Sequence, residues 1–207
     1  MGPEYALAEA ILARDADTYV HSQRTAHCAA RLASELGLAK ERVGQIRTAA
    51  LLHDVGKIGI PDSILHKGEE LTDSEWALMQ THSAIGASLV EGAGFGQMAR
   101  WIYHLHERYD GRGYPDGLAG GAIPFESRLL HAADALEAMT TERSYRPALR
   151  IEFAADEIEE AAGTQLDPAI ATPLVELVRA NGLRITDQTP RRRVASTLVG
   201  YAPVPAA

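Results

Sequence analysis

Apolar residues recur every three or four positions along most of the chain, which is the period of an amphipathic α-helix. Gly37 follows the first clear stripe and is a residue typical of a helix C-terminus. That stripe consists of Thr25, Cys28, Ala29, Leu32 and Leu36. A second stripe ends where the run 53–56 (HDVG) supplies a glycine stop, and it consists of Val43, Ile46 and Ala50.

A capping box opens the next predicted helix, because Thr72 is followed three residues later by Glu75. This helix is expected to carry Leu78, Ile85 and Leu89 on one face. Further helical patterns cover residues 98–106, 126–141, 151–162 and 168–180. No alternating strand pattern of useful length precedes the C-terminal end. The sequence therefore predicts an all-α fold.

Two stretches rich in turn residues interrupt the helices, at 56–68 and at 110–124, and the second holds five Gly and two Pro. Loops of this kind often display binding groups. We expect residues 1–15 to form an N-terminal segment or connector, 16–187 to form the domain, and 188–207 to form a C-terminal tail. The arginine run at 191–193 is interpreted as a solvated part of that tail.

Composition narrows the class of protein. The chain has 207 residues, 46% of them hydrophobic, and a net charge of −8, which fits one globular domain. The longest apolar run stops at His53, far short of the ~18 residues that span a bilayer. No membrane association is expected, and without a recognisable export signal a cytoplasmic location is favoured. The acidic balance argues against a nucleic-acid partner. The single cysteine excludes an intramolecular disulfide and a multi-thiolate metal site.

The informative feature is a set of histidines on the apolar faces of different helices. Burying such groups beside carboxylates is costly unless a cation compensates them. Neutral imidazoles and carboxylates that converge from a helical bundle are typical of a metal site. Adjacent side chains on a helix diverge by roughly 100°, so Asp54 next to His53 could bridge two ions. The residues predicted to face the core are His21, His53, His82, His106 and Asp134.

The motifs around these residues resemble one known family. Residues 53–61 (HDVGKIGIP) and 106–115 (HERYDGRGYP) are similar to the signatures of the HD-GYP family, a subset of the HD phosphohydrolases. The resemblance continues at 81–86, 133–135, 143–146 and 163–168, and it spans about residues 17–180. It implies an HD-domain helical bundle with a Gly/Pro-rich loop that carries the GYP motif. It also implies a phosphodiesterase that hydrolyses the bacterial second messenger cyclic di-GMP.

The resemblance further implies a ligand set for metal ions. A first ion would be bound by His21, His53, Asp54 and Asp134. Asp54 would bridge to a second ion held by His82 and His106, and Asp17 matches an acid that recruits a third ion in some members. Iron or manganese suits these ligands best, with zinc, nickel or cobalt as alternatives.

The same resemblance implies the reaction. A metal-bridging hydroxide would attack the phosphorus and give the linear dinucleotide, GMP or both. Asp54 and Lys57 would be catalytic, with Lys57 beside the scissile phosphate, and Tyr114, Arg143 and Arg146 would bind the substrate. Cyclic di-GMP is the expected partner. A homodimer, a regulatory protein partner and an upstream sensor domain stay open.

One departure from the family motif bears on activity. The family usually has His-His-Glu where this chain has Leu105-His106-Glu107, with His104 one position earlier as an alternative ligand. Ser144 also replaces the usual proline before Tyr145. The second ion is therefore expected to bind weakly. Two other readings stay open: a catalytically weak or inactive module that binds cyclic di-GMP or a partner protein, and a hydrolase of another phosphate ester.

Overall fold

The computed structural model describes residues 2–141 and 148–180, and within them the chain is helical without a β-strand. The α-helices are α1 (Pro3–Arg14), α2 (Ala16–Glu35), α3 (Lys40–Leu52), α4 (Asp62–Leu65), α5 (Asp73–Gln80), α6 (His82–Gly92), α7 (Gly96–Tyr103), α8 (Phe125–Thr140), α9 (Ile151–Glu160) and α10 (Pro168–Arg179). Two 3₁₀ helices lie at Val55–Gly59 and Gly120–Ala122. The predicted all-α fold is confirmed.

The core lies between α2 and the helices packed on it, chiefly α3 and α8. The stripe predicted on α2 is buried, with Cys28, Ala29 and Leu32 fully inaccessible. Gly37 has a φ of 74°, so it ends this helix in the left-handed conformation that glycine adopts without strain. Periodicity therefore located the central helix and its buried face correctly.

The N-terminal segment is a helix that joins the bundle. Pro3 stands in its first turn, and Ala8 and Ile11 are buried against the rest of the chain. The guanidinium of Arg14 donates to the carbonyl of Ile60 at 2.9 Å, which ties the end of α1 to the segment after the His53-Asp54 pair. The predicted tail at 188–207 lies outside the described residues.

The structure differs from the prediction at residues 72–89, where one helix was expected. The capping box of Thr72 and Glu75 is present, but α5 ends at Gln80 and α6 begins at His82. The Thr81 hydroxyl donates to the carbonyl of Leu78 at 2.7 Å, which helps to end the first helix. Leu78 and Leu89 are exposed, whereas His82 is buried. The break leaves His82 as the first residue of α6.

The helix predicted over 98–106 is shorter than expected. It ends at Tyr103, and His106 lies in the turn that follows. Its apolar stripe is nevertheless buried as expected, including Ile102 and Leu105. Among the described helices, none combines the length and the apolar character needed to cross a membrane.

Candidate metal centre

Five separate parts of the bundle bring polar side chains to one place. α2 and α8 contribute from within the helices, while α3, α6 and α7 contribute at or just beyond their ends. These positions are occupied by His21, His53, His82, His106 and Asp134, the residues that the sequence predicts to face the core. Asp54, next to His53, lies among them with only 3% of its side chain exposed.

The first group of donor atoms surrounds His21 Nε2. Asp134 Oδ1 is 3.0 Å from it and His53 Nε2 is 3.3 Å from it. Asp54 Oδ2 lies 3.8 Å from the same nitrogen and 3.5 Å from His53 Nε2. The first group therefore consists of His21, His53, Asp54 and Asp134.

The second group lies on the other side of the same carboxylate. His82 Nε2 and His106 Nε2 are 3.0 Å apart, and Asp54 Oδ1 is 3.7 Å from His82 Nε2. The two oxygens of Asp54 thus face two different groups of imidazoles. This is the arrangement expected of a carboxylate that bridges two cations.

The hydrogen bonds behind the rings test whether a cation fits. His53 Nδ1 lies 2.7 Å from the carbonyl of Ala50, and His82 Nδ1 lies 2.7 Å from the carbonyl of Met79. A carbonyl only accepts, so each Nδ1 carries the proton and each neutral ring presents a lone pair at Nε2. Those lone pairs point at other imidazole nitrogens. A divalent cation between the rings satisfies them, so the residues fit a metal.

Charge and burial agree with this fit. Burial lowers the pKa of His106 well below its ordinary value, and burial also lowers the pKa of His82. Both rings are therefore neutral, as metal ligands must be. Burial acts to raise the pKa of Asp54, but Lys57 and His53 outweigh it and hold that pKa low. The carboxylate is therefore charged.

His21 has an additional buried partner that the sequence analysis missed. Its Nδ1 pairs with the carboxylate of Glu137, which is 0% exposed, while its Nε2 faces Asp134. Burial lowers the pKa of His21, but hydrogen bonds to Asp134 and Glu137 outweigh burial and raise that pKa to about 10. Glu137 stands three residues after Asp134 on α8, so helical spacing could have revealed it.

Close backbone packing positions the second group. A Cβ on Gly56 would lie 1.9 Å from the carbonyl oxygen of His82 and 2.5 Å from the nitrogen of Gly86. Glycine at position 56 therefore allows α6 to pack directly against the 3₁₀ helix that follows Asp54. The sequence pattern predicts a helix stop at Gly56, whereas the structural role of Gly56 is this close approach.

Lys57 and Tyr114 lie beside the two groups. Lys57 Nζ donates to Asp54 Oδ2 at 2.7 Å. The Tyr114 ring stacks on His106 with centroids 5.0 Å apart, and burial together with Asp54 raises the pKa of its phenol, which stays neutral. Trp76 meets Tyr114 edge-on at 6.3 Å and is half-exposed. Trp76 comes from a distant helix, and nothing in its local pattern indicated this contact.

The loop that carries Tyr114 is anchored by the neighbour of His106. Glu107 is buried, and its carboxylate accepts the backbone N–H groups of Asp116 and Leu118 at 2.8 and 3.0 Å. A Cβ on Gly113 would lie 2.2 Å from the nitrogen of Arg108, so this loop packs closely on the segment after α7. The loop position of Tyr114 is therefore fixed by Glu107 and Gly113.

The other predicted residues stand apart from these groups. Asp17 is exposed, one turn before His21. His104 Nδ1 faces Glu107 and Asp116, at 3.8 and 3.7 Å, rather than either carboxylate of the first group. Leu105 packs in the apolar core with 1% exposure. Arg143, Ser144, Tyr145 and Arg146 lie outside the described residues.

Three histidines carry no predicted role in the site, and one of them is close to the centre. His131 is buried and makes an edge contact with the His106 ring at 6.4 Å between centroids. Its Nδ1 donates to the carbonyl of Glu107 at 3.0 Å, so it supports the turn that presents His106. His27 and His66 are not among the donor groups of the centre.

A family model for the HD domain matches residues 6–170, and the chain belongs to this family. The family expected from the sequence is confirmed. One similar protein is the cyclic di-GMP phosphodiesterase response regulator RpfG of Xanthomonas campestris, 42% identical over 82% of this chain and 46% of that protein. The 3'3'-cGAMP-specific phosphodiesterase 2 of Vibrio cholerae is 39% identical over 83% of this chain and 34% of that protein.

A cyclic di-GMP phosphodiesterase of Thermotoga maritima is 35% identical over 89% of this chain and 50% of its own length. The chain thus spans half or less of these relatives. Among solved structures, the PgpH HD domain of L. monocytogenes with cyclic-di-AMP has a TM-score of 0.65 and 16% identity over 89% of this chain and 98% of that chain. A cyclic GMP-AMP-specific phosphodiesterase of V. cholerae has a TM-score of 0.61 and 24% identity, covering 77% of this chain and 44% of that one. These two structures share the fold.

Proposed function

We propose that this chain is a metal-dependent phosphodiesterase that hydrolyses cyclic di-GMP to the linear dinucleotide, GMP or both. The observation that carries the proposal is the orientation of Asp54, whose two oxygens face separate groups of imidazole nitrogens. The relatives named as phosphodiesterases of cyclic di-GMP and of 3'3'-cGAMP support the reaction class.

The chemistry of the donor atoms favours two divalent ions of iron or manganese, with zinc, nickel or cobalt as substitutes. The ligands are imidazole nitrogens and carboxylate oxygens. Cys28 adds no thiolate, because it lies in the apolar core and belongs to neither donor group. When bound, such ions lower the pKa of coordinated water and stabilise negative charge on a phosphoryl group. A third ion through Asp17 stays a prediction.

Lys57 is suited to the charge that develops during phosphodiester hydrolysis. Its ammonium contacts Asp54 and is one-quarter exposed, so it lies at the accessible side of the centre. A cation fixed there stabilises a developing oxyanion because it need not reorganise during the reaction. Asp54 would bind the ions and hold Lys57 in place, whereas Lys57 would stabilise the charge on the substrate.

Substrate recognition would involve the two aromatic side chains beside His106, those of Tyr114 and Trp76. Tyr114 presents a neutral phenol, and half-exposed Trp76 extends the apolar surface outward. Nucleobases stack on aromatic side chains of this kind. Arg143 and Arg146 stay predicted phosphate ligands, and their replacement by alanine is expected to weaken binding of cyclic di-GMP without removing metal.

Leu105 affects the expected affinity for the second ion, because it stands where the family usually has a histidine. The second group offers His82, His106 and one oxygen of Asp54, whereas the first group offers four residues. We therefore expect a titrated chelator to remove the second ion first. Leu105→His should increase the chelator concentration needed, at a cost in stability because the position is buried. Equal retention of both ions in the unaltered protein would contradict this ranking.

Turnover of a substrate panel tests the proposed function. The protein is loaded anaerobically with iron or manganese, and metal content and products are measured on the same sample. Cyclic di-GMP, 3'3'-cGAMP and a simple nucleotide diester are compared. Hydrolysis of cyclic di-GMP above the others supports the proposal. Preference for cGAMP would correct the substrate, and tight binding without turnover in fully loaded protein would identify a sensing module.

A further inference from the structure

A second cluster of metal-ligating side chains lies outside the Asp54 centre. His104 Nδ1 is buried and has no hydrogen-bond partner within the described residues. The nearest carboxylate oxygens are Glu107 Oε1 at 3.8 Å and Asp116 Oδ2 at 3.7 Å. Both distances exceed that of a hydrogen bond. The nitrogen thus faces two carboxylates without a hydrogen bond to either.

The separations between these donor atoms suit a shared cation. Tetrahedral bonds of about 2.1 Å place neighbouring donor atoms about 3.4 Å apart. The separations from His104 Nδ1 are only a few tenths of an ångström larger, and one atom from each residue lies within 4.8 Å of the others. A small inward movement of the half-exposed Asp116 would complete the geometry.

The surroundings hold these donors in place. Glu107 is fully buried, and its oxygens accept N–H groups from Asp116 and Leu118 while each keeps a further lone pair. The Tyr103 ring packs edge-on against His104, and its hydroxyl donates to Asp116 Oδ1 at 3.4 Å. Supporting contacts of this kind orient ligands before a metal arrives.

We propose that His104, Glu107 and Asp116 form a separate site for a divalent transition ion of the zinc class. One imidazole and two carboxylates with an open fourth position are a ligand set that zinc accepts. The site shares no side chain with the Asp54 centre. Its ion links the end of α7 to the loop at 110–118 that carries Tyr114. Zinc would therefore stiffen the loop that forms one side of the proposed substrate site.

Zinc titration of the full chain tests the site. Protein that already carries its central ions is titrated with Zn²⁺ against a chromophoric chelator. The unaltered protein should bind one zinc ion more than His104→Ala or Asp116→Asn. Losing a direct ligand should weaken that ion at least about 100-fold, because even outer contacts of a metal site are worth 10–100-fold.

A matched control and a second readout separate this site from the centre. His66 is an exposed histidine 3.9 Å from Asp62, and His66→Ala should keep the additional ion. Central metal content should be equal in all variants, and zinc should raise Tm in the unaltered protein more than in Asp116→Asn. Retention of the additional zinc by both site variants, or no additional zinc in the unaltered protein, would overturn the proposal. Either result is independent of whether cyclic di-GMP is hydrolysed.

Discussion

At the scale of single residues, Glu137 determines how His21 meets a cation. It holds the Nδ1 side of the ring, so Nε2 points at Asp134 and His53. A carboxylate behind a ligating histidine fixes the orientation of the ring and raises its basicity. Glu137 is therefore a positioning residue for the first group.

We predict that Glu137→Gln weakens metal binding at the first group by roughly 10–100-fold, because the replacement removes the charge behind His21. Glu126→Gln is the matched control, since Glu126 is a buried carboxylate on the same helix that pairs with Arg42. Chelator competition measures the affinity in both variants. Equal affinities in the two variants would mean that Glu137 only supports the fold.

The raised pKa of His21 predicts that metal binding releases a proton. With a pKa of about 10 before metal binds, its ring is protonated near pH 7. A cation in the first group takes the place of that proton, so binding should release about one proton from His21. Metal affinity should accordingly increase with pH up to about 10. Calorimetry in buffers of different ionisation enthalpy measures the release, and the absence of any proton release at neutral pH would refute this assignment.

The stability of the metal-free protein should depend on pH in the opposite direction to its metal affinity. The folded pKa of His21 is above the ordinary histidine value of 6.5, so its contribution to stability is complete below pH 6.5. That contribution is lost as pH rises through about 10. Increasing pH therefore weakens the metal-free fold at this residue while it strengthens metal binding.

At the scale of elements, the centre depends on how α6 meets the 3₁₀ helix Val55–Gly59. Gly56 and Gly86 allow the two backbones to approach, and His82 stands at the start of α6 within this contact. A displacement of α6 would therefore change the position of His82 relative to Asp54. The geometry of the second group is therefore a property of this helix contact.

Gly56→Ala is expected to destabilise the fold by roughly 1–3 kcal/mol, the usual cost of overpacking, and to reduce metal at the second group. The control is Gly44→Ala in the exposed part of α3, where an added Cβ meets nothing within 4 Å. That change should stabilise by about 0.5–1 kcal/mol, since alanine is the better helix former. Unfolding by denaturant and metal analysis measure both effects. A harmless Gly56→Ala would contradict the packing account.

Particular elements explain how much of the fold the sequence could predict. The stripe of α2 and its glycine end were readable because a long amphipathic helix has a strong local period. The break at Thr81 was not readable, because Leu78, His82 and Ile85 keep helical spacing across it. A break that preserves the spacing leaves no local signal.

The candidate site was likewise predictable from the sequence only in part. The inward-facing positions of His21, His53 and Asp134 followed from helical periodicity, and the two groups of metal ligands were predicted from the motif resemblance. Contacts made through loops did not follow, because they join residues far apart in the chain. Trp76 against Tyr114 and His104 beside Asp116 are contacts of this kind.

At the scale of the whole molecule, the centre connects segments from residue 21 to residue 134. A cation that binds only the folded arrangement would therefore stabilise the bundle. Asp54 is the residue on which both groups depend, because each of its oxygens faces one of them. Its replacement is the most direct test of the account.

The decisive measurement is the metal content of Asp54→Ala, with cyclic di-GMP turnover recorded on the same sample. Asp156→Ala is the control, because Asp156 is an exposed carboxylate on α9 that pairs with Arg179. The account predicts that Asp54→Ala loses metal from both groups and loses turnover, while Asp156→Ala keeps both and each variant stays helical. Metal and turnover retained by Asp54→Ala would contradict the bridged two-metal centre.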